Sequence, residues 1–335
     1  MPSVTGRDLG HIETVRALAA LSVAIFHFSY SSYGSIFLIN SDTVKSITIH
    51  GAQGVELFYI VSGFIIPFAL YRSGYVITDY FRYLGKRLSR LYPPYLMTII
   101  AIIGLNFILC RFVWHIDFDI HFKQVFVNVF FLADLFPEWG WINPIFATLE
   151  VEIQFYLLIG ILFPFMMKNN VTYLFISAAL LSLGMLTRDT DTALVNMPYF
   201  LTGFNVFYLM QKGNKWISIS IQLGILFCLF QYFQWPDFFV TILGFVLILW
   251  LPRNLKFLRT TGKISYSYYL IHGLVGGWFL FFTSSLPSWS DYPWIYLLLA
   301  LALSWVGAFI LYQLIEKPCL RFSASIQYKR NETKK

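Results

Sequence analysis

The sequence predicts an all-α fold, a polytopic bundle of transmembrane helices, and three observations lead to it. Of the 335 residues, 58% are hydrophobic and only 12% are charged, whereas a soluble domain carries about 25% charged residues. The mean hydropathy is +0.65. Apolar stretches long enough to cross a bilayer recur along the chain, bounded by charges, prolines or glycines. We therefore exclude a soluble globular domain.

These stretches predict about ten membrane helices. They lie near residues 17–37, 51–70, 93–112, 145–167, 171–187, 194–211, 216–235, 237–251, 264–285 and 293–315. The further apolar stretch 122–136 must not cross if the remaining stretches are to alternate in direction. We expect it to form an interfacial or re-entrant helix at the outer face.

The basic residues fix the predicted orientation. All but four of the 24 lysines and arginines fall on one side of the predicted membrane, which places both termini in the cytoplasm by the positive-inside rule. The net charge of +7 is thus explained without a nucleic-acid partner. We predict one membrane domain, residues 1–322, in contact with lipid, and a basic cytoplasmic tail, residues 323–335.

The first apolar segment, HIETVRALAALSVAIFHFSY, carries Arg16 and His27 eleven residues apart. On a helix this spacing is about 16 Å, which predicts Arg16 near the cytoplasmic surface and His27 near mid-bilayer. Ionisable groups at that depth are usually functional, and histidine titrates near neutrality. The alternative is a neutral histidine bonded to a neighbouring helix. Glu13 lies three residues before Arg16, which favours a local ion pair.

Other ionisable residues interrupt the apolar segments. Glu56 and Glu152 fall in the outer halves of their predicted spans, where each costs about 3 kcal/mol, so a function is expected to retain them. A structural salt bridge or a protonated hydrogen bond is the alternative. Glu150 lies on another helix face from Glu152 and is interpreted as a lumen or interface residue. His272, within GKISYSYYLIHG, is interpreted as structural when taken alone.

A basic run, FRYLGKRLSRLYPPY, precedes the third stretch. Arg87 and Arg90 share a helix face and can bind one polyanion together, since the guanidinium fork suits phosphate oxygens. The alternative is an anchor for lipid headgroups. We expect Pro93 and Pro94 to end this run, and Glu316, before a Lys-Pro pair, to end the last span.

Six segments, in order from residue 11 to about 322, resemble the acyltransferase 3 family of integral membrane acyltransferases. The segments are HIETVRALAALSVAIFH, GVELFYIVSGFII, RLSRLYPPY, LEVEIQFYLL, GKISYSYYLIH and LIEKPCLRF. The resemblance implies transfer of an acyl group, usually acetyl, from cytoplasmic acyl-CoA to a hydroxyl of an extracytoplasmic glycan. Such glycans include the O-antigen of lipopolysaccharide, capsule and exopolysaccharide, and the implied location is the bacterial cytoplasmic (inner) membrane.

The resemblance also implies roles for particular residues. Arg16 and His27 match the arginine and the essential histidine of the family's first helix, Arg87 and Arg90 match its R-x-x-R pair, and Glu152 matches its glutamate before a Phe-Tyr pair. The surrounding family segment Trp-Ser-Leu-Ser-Val-Glu-Glu reads ATLEVEI here, which alters the setting of this glutamate.

The implied mechanism has the three arginines holding the CoA phosphates. His27 would act as general base on the acceptor hydroxyl or carry the acyl group itself, and Glu152 would orient an imidazole or the acceptor. Neither a bound cofactor nor a metal is expected, because acyl-CoA, commonly acetyl-CoA, is a substrate. The oligomeric state is left open, with a homo-oligomer among the alternatives.

Two rival functions remain at this point. A proton-coupled transporter or flippase of a glycan or lipid-linked precursor would use Glu56, Glu152 and His27 as a proton relay. A structural partner within a glycan-export complex is the third reading. Glu13 and His272 complete the set of candidate site residues.

Overall fold

A computed structural model describes residues 10–29, 42–187, 192–211, 213–250, 256–286 and 291–328, and all regular secondary structure within these ranges is helical. The chain divides into two compact units. Unit 1 comprises Met1–Ile65 and Pro198–Leu314, and unit 2 comprises Ile66–Met197 and Ile315–Lys335.

The described residues contain fifteen α-helices. In chain order they are α1 (Gly10–Ser29), α2 (Asp42–Thr48), α3 (Gly54–Arg72), α4 (Tyr80–Ile108), α5 (Phe122–Val129), α6 (Phe146–Met166), α7 (Asn170–Leu186), α8 (Met197–Met210), α9 (Lys215–Tyr232), α10 (Trp235–Trp250), α11 (Lys256–Lys263), α12 (Ser265–His272), α13 (Trp278–Thr283), α14 (Pro293–Leu311) and α15 (Lys317–Ser325). Three π-helical segments extend or join them: Leu109–Trp114, Gly273–Gly277 and Tyr312–Glu316.

Six helical segments of the described residues are long and apolar enough to cross a membrane: Gly10–Ser29, Val44–Arg72, Ile77–Trp114, Phe146–Met166, Lys215–Tyr232 and Pro293–Ser325. The class of all-α, multi-pass membrane protein is thereby confirmed. The count of ten spans and the cytoplasmic termini stay predictions. Helix α5 has eight residues, about 12 Å at the α-helical rise, and is too short to cross. This agrees with the expectation for residues 122–136.

Helix α1 begins earlier than the stretch 17–37 predicted. It starts at Gly10, so His27 lies about 26 Å along the helix axis, in the last described turn of α1, and its depth in the bilayer stays a prediction. Residues 30–37 lie outside the described residues. Glu13 lies in the first turn of this helix, and its carboxylate accepts a hydrogen bond from Arg259 Nε of α11 at 3.0 Å. The i,i+3 spacing to Arg16 did not predict this partner.

The prediction that Pro93 and Pro94 end the basic run is wrong, because both lie inside α4. Proline removes a backbone donor and strains the preceding turn, but packing on both sides overrides it. Tyr92 donates its hydroxyl proton to the carbonyl of Val129 at 2.8 Å, and Tyr95 donates to Asn128 at 2.7 Å. The basic run and the third span therefore form one helix.

Glu316 likewise does not end the last helical segment. The path continues from α14 through Tyr312–Glu316 into α15, which ends at Ser325, three residues past the predicted end of the membrane domain. Pro318 lies in the first turn of α15, directly after the π-helical segment Tyr312–Glu316, so the helical register changes at the turn where the proline lacks an N–H. Residues 329–335 of the predicted tail lie outside the described residues.

In unit 1, helix α1 packs against α11, α12 and α14. A close approach at Gly276 helps to fix this arrangement, because a Cβ there would collide with the ring of Phe28 and the hydroxyl of Ser304.

In unit 2, helix α4 packs against α6 and α15. Tyr80 donates to the carbonyl of Leu157 at 3.2 Å, and Tyr75 donates to that of Gly160 at 2.7 Å. The missing side chain of Gly160 leaves room for the ring of Tyr83. These contacts set the antiparallel register in which the arginines of α4 face the middle of α6.

Candidate functional site

Two histidines that are 245 residues apart meet in unit 1. Nδ1 of His27, on α1, lies 3.2 Å from Nε2 of His272, on α12. Their ring planes are within 9° of parallel, with centroids 5.1 Å apart. His272 is 1% exposed, and His27 is half-buried. The sequence identified both residues but did not predict that they touch.

The partners of His272 determine where the protons of the pair lie. Nδ1 of His272 is 2.7 Å from the carbonyl oxygen of Tyr269. A carbonyl can only accept, so this nitrogen carries the proton, and in the neutral ring Nε2 of His272 holds the lone pair. Nδ1–H of His27 must then donate to it. Neutral His27 is therefore left with a basic lone pair on Nε2.

The local helix geometry holds His272 in this position. The π-helical segment Gly273–Gly277 begins directly after it, and such bulges often occur at functional sites. The rings of Phe28 and Tyr268 pack on the imidazole, with centroids at 5.9 and 6.3 Å. A buried, packed ring with both nitrogens bonded cannot rotate freely, so His272 is a rigid acceptor for His27.

A second cluster lies in unit 2, on one stripe of α4. Tyr83, Arg87 and Arg90 occupy positions i, i+4 and i+7, which share a helix face. Within the described residues, the hydroxyl of Tyr83 and the Nε atoms of Arg87 and Arg90 are buried without a hydrogen-bond partner. Three unpaired buried donors in a row are costly in the ligand-free protein, which indicates a site for a ligand rich in acceptor oxygens.

Aromatic rings position the first arginine of this stripe. The guanidinium carbon of Arg87 lies 5.8 Å from the ring centroid of Tyr83 and 5.9 Å from that of Tyr156. By contrast, Arg82 is engaged, since it pairs with the buried carboxylate of Asp79 at 3.0 Å. The basic run thus contains one arginine in a structural ion pair and two whose buried Nε atoms have no hydrogen-bond partner among the described residues.

Glu152 belongs to this second cluster. Its Oε1 accepts the hydroxyl proton of Tyr156 at 2.5 Å, one helix turn away on α6, and Tyr156 is the ring beneath Arg87. The expected role of Glu152 in orienting an imidazole stays a prediction. In unit 1 that orientation is already supplied to His272 by the Tyr269 carbonyl.

The remaining candidates have other surroundings. Arg16 is half-buried on α1. Glu56, in the first turn of α3, lies near Tyr199, whose hydroxyl bonds the carboxylate of Asp237. Among the described residues, no group of three or more His, Cys, Asp or Glu side chains is placed to hold a metal ion.

The interpretation of Glu150 as a lumen or interface residue is wrong. It is 1% exposed, and Oε2 accepts from the backbone N–H of Ala133 at 3.2 Å. The chain after α5 folds back over the start of α6, a tertiary contact that the helical spacing could not reveal.

The fold and these two clusters define a multi-pass helical membrane protein with a histidine pair in one unit and a stripe of one tyrosine and two arginines in the other. Comparison with models of protein families gives a match over residues 9–313, to a family described as an acyltransferase domain. The chain belongs to the acyltransferase 3 family and is a membrane acyltransferase. No curated protein and no solved structure matches it significantly.

Proposed function

We propose that the protein is an O-acyltransferase that moves an acyl group, most simply acetyl, from cytoplasmic acyl-CoA to a hydroxyl of an extracytoplasmic glycan. O-antigen, capsule and exopolysaccharide are the acceptor classes, and the bacterial cytoplasmic (inner) membrane is the location. The observation that carries the proposal is the hydrogen bonding of the histidine pair, which places a proton on Nδ1 of each ring and leaves a lone pair on Nε2 of His27.

In the proposed reaction, Nε2 of His27 takes the proton of the acceptor hydroxyl as its oxygen attacks the thioester carbonyl. The carbon–sulfur bond breaks, CoA leaves as the thiol after receiving that proton, and the acyl group forms an ester with the acceptor. His272 is the positioning residue, because its bond to Nδ1–H fixes the tautomer of the base, as the third group of a catalytic triad does.

A variant of this chemistry uses the same nitrogen as a nucleophile. Nε2 of His27 would attack the thioester, carry the acyl group and release it to the acceptor. Both routes need the lone pair on this atom.

Donor recognition is assigned to the second cluster. The phosphates of CoA offer several anionic oxygens, and the stripe of Tyr83, Arg87 and Arg90 offers one hydroxyl and two Nε donors that lack hydrogen-bond partners among the described residues. Charge-assisted bonds of this kind are about twice as strong as neutral ones. Arg16 is proposed as an additional phosphate ligand, and Glu152 as the residue that holds Tyr156 beneath Arg87. No bound cofactor or metal takes part in the proposed reaction.

The test is acyl transfer in membranes from cells that make the acceptor glycan. Parent protein should add the acetyl mass increment to the glycan, as read by mass spectrometry, and His27→Ala should abolish it at equal protein level. His121→Ala is the matched control, because this histidine is exposed and its side chain contacts Asp119 and the ring of Trp139, which belong to neither cluster. A transporter would move the glycan without the mass change, and unchanged acetylation in His27→Ala would reject the assigned base.

A further inference from the structure

The C-terminal segment of unit 2 folds back onto the basic stretch of α4. The hydroxyl of Ser323, in α15, donates to the carbonyl of Lys86 at 2.7 Å. The ammonium of Lys86 in turn lies 3.5 Å from the carbonyl oxygen of Ile326 and 5.5 Å from the ring centroid of Tyr328. Lys86 and Tyr328 are thus held together, next to the arginine stripe.

Tyr328 ends a row of three tyrosines. The rings of Tyr83 and Tyr75 meet edge-on at 5.7 Å, and those of Tyr75 and Tyr328 at 5.9 Å. Tyr83 and Tyr75 are buried, whereas Tyr328 is half-buried. The row therefore runs from a buried ring beside Arg87 to a ring that still offers aromatic surface.

The charges along this row suit a polyanion. Burial raises the pKa of Tyr75 to about 12 and raises that of Tyr328, so both rings stay neutral phenols at physiological pH and do not repel phosphate. Lys86 has three N–H donors, only one of which can serve the Ile326 carbonyl. From the accessible end inwards, the site offers a partly exposed aromatic ring, an ammonium, and then the two guanidinium groups of Arg87 and Arg90.

The order of these groups matches the order of groups in CoA, which is an adenine ring, a ribose bearing a 3′-phosphate, a diphosphate and the pantetheine arm. We propose that Tyr328 and Lys86 form the nucleotide subsite of the donor site: the Tyr328 ring packs on adenine, and the Lys86 ammonium binds the ribose phosphate. This inference rests on the proposed use of acyl-CoA as donor. Base–aromatic stacking and cation–phosphate contacts supply the affinity.

Binding measurements with three ligands separate these contacts. The full-length protein in lipid nanodiscs is titrated calorimetrically with CoA, with 3′-dephospho-CoA and with 4′-phosphopantetheine, which lacks the nucleoside. We expect Tyr328→Ala to raise the Kd of CoA and of 3′-dephospho-CoA about tenfold and to leave that of 4′-phosphopantetheine unchanged. Lys86→Ala should weaken CoA binding about tenfold but leave that of 3′-dephospho-CoA unchanged.

Two further variants control for folding. Tyr328→Phe keeps the ring and should bind CoA like the parent, and Phe322→Ala removes an aromatic ring from α15 that is 63% exposed and should have no effect. Equal losses for all three ligands in Tyr328→Ala, no loss, or tighter CoA binding would each overturn the subsite. Failure of the parent itself to bind CoA would instead refute the proposed donor, and the subsite with it.

Discussion

Nδ1 of His27 lies 3.2 Å from Nε2 of His272, and the opposite nitrogen of His272 bonds the Tyr269 carbonyl at 2.7 Å. The relationship is directional. The Tyr269 carbonyl determines the tautomer of His272, and His272 in turn determines the tautomer of His27. A buried backbone group thereby determines which nitrogen of His27 is basic.

Removal of His272 should impair turnover more than donor binding. We expect His272→Ala to lower kcat about a hundredfold, because the tautomer and orientation of His27 are no longer fixed, while KM for acyl-CoA stays near that of the parent. His272→Gln can still accept from Nδ1–H of His27 and should retain more activity than His272→Ala. Steady-state kinetics on both variants measure the difference, and equal kcat in both would contradict the positioning role.

The two arginines of the stripe should matter far more for donor binding than for the stability of the protein. We expect Arg87→Ala combined with Arg90→Ala to raise KM for acyl-CoA about a hundredfold. The thermal midpoint without donor should change little, because the two Nε atoms have no hydrogen-bond partner among the described residues and the ring contacts of Arg87 contribute only about 0.5–1 kcal/mol each. In the parent, CoA at 100 times its Kd should stabilise by about 2.7 kcal/mol, and the double variant should lose this shift.

Arg82→Ala is the control for that experiment. It removes an arginine from the same run whose guanidinium is already paired with Asp79, so the stabilisation by CoA should persist. Loss of CoA stabilisation in Arg82→Ala to the same extent would show that general positive charge, rather than the stripe, binds the donor.

The bond between Tyr156 and Glu152 should contribute to stability. Tyr156→Phe leaves the carboxylate without this donor, and we expect a loss of about 1–3 kcal/mol in the free energy of unfolding. Glu152→Gln keeps an acceptor for the Tyr156 hydroxyl and should lose less. Thermal unfolding of both variants in detergent decides this, and a larger loss in Glu152→Gln would indicate that the charge of Glu152, rather than this bond, stabilises the cluster.

The close approach at Gly276 gives a test of packing around the histidine pair. Gly276→Ala forces a Cβ against Phe28 and Ser304, and overpacking of this kind costs about 1–3 kcal/mol. We expect a lower melting temperature together with reduced kcat, since His272 lies one helix turn away. Gly104→Ala is the matched control, because an added Cβ meets nothing within 4 Å in the described part of the chain, and alanine is the better helix former.

Much of the fold could be predicted because a segment that crosses the bilayer must be a long, mainly apolar helix. The long apolar stretches and the multi-pass class follow from hydropathy and length, and the expectation that the stretch around α5 does not cross follows from the alternation of the spans. Helix ends could not be predicted as well. Pro93, Pro94 and Glu316 are local signals for a helix end, but tyrosine hydrogen bonds hold the helix at the two prolines, and a π-helical segment carries the chain through Glu316 into α15.

The candidate site was predicted residue by residue, but its contacts were not. His27, Arg87 and Glu152 are unusual residue types for their positions, and the sequence shows that directly. The pairing of His27 with His272 depends on how α1 and α12 pack, and the grouping of Glu152 with Arg87 depends on the register of α4 against α6. Neither of these two tertiary contacts can be predicted from the spacing of residues along the sequence.

The protonation of each ring nitrogen in His27 and His272 can be measured directly. Nitrogen NMR of the protein with ¹⁵N-labelled histidine, assigned by comparison with His27→Ala and His272→Ala, distinguishes protonated from unprotonated ring nitrogens. At neutral pH we predict protonated Nδ1 and unprotonated Nε2 in both rings. A protonated Nε2 on neutral His27 would place the lone pair on Nδ1, facing His272, and would contradict the assignment of His27 as the base that receives the acceptor proton.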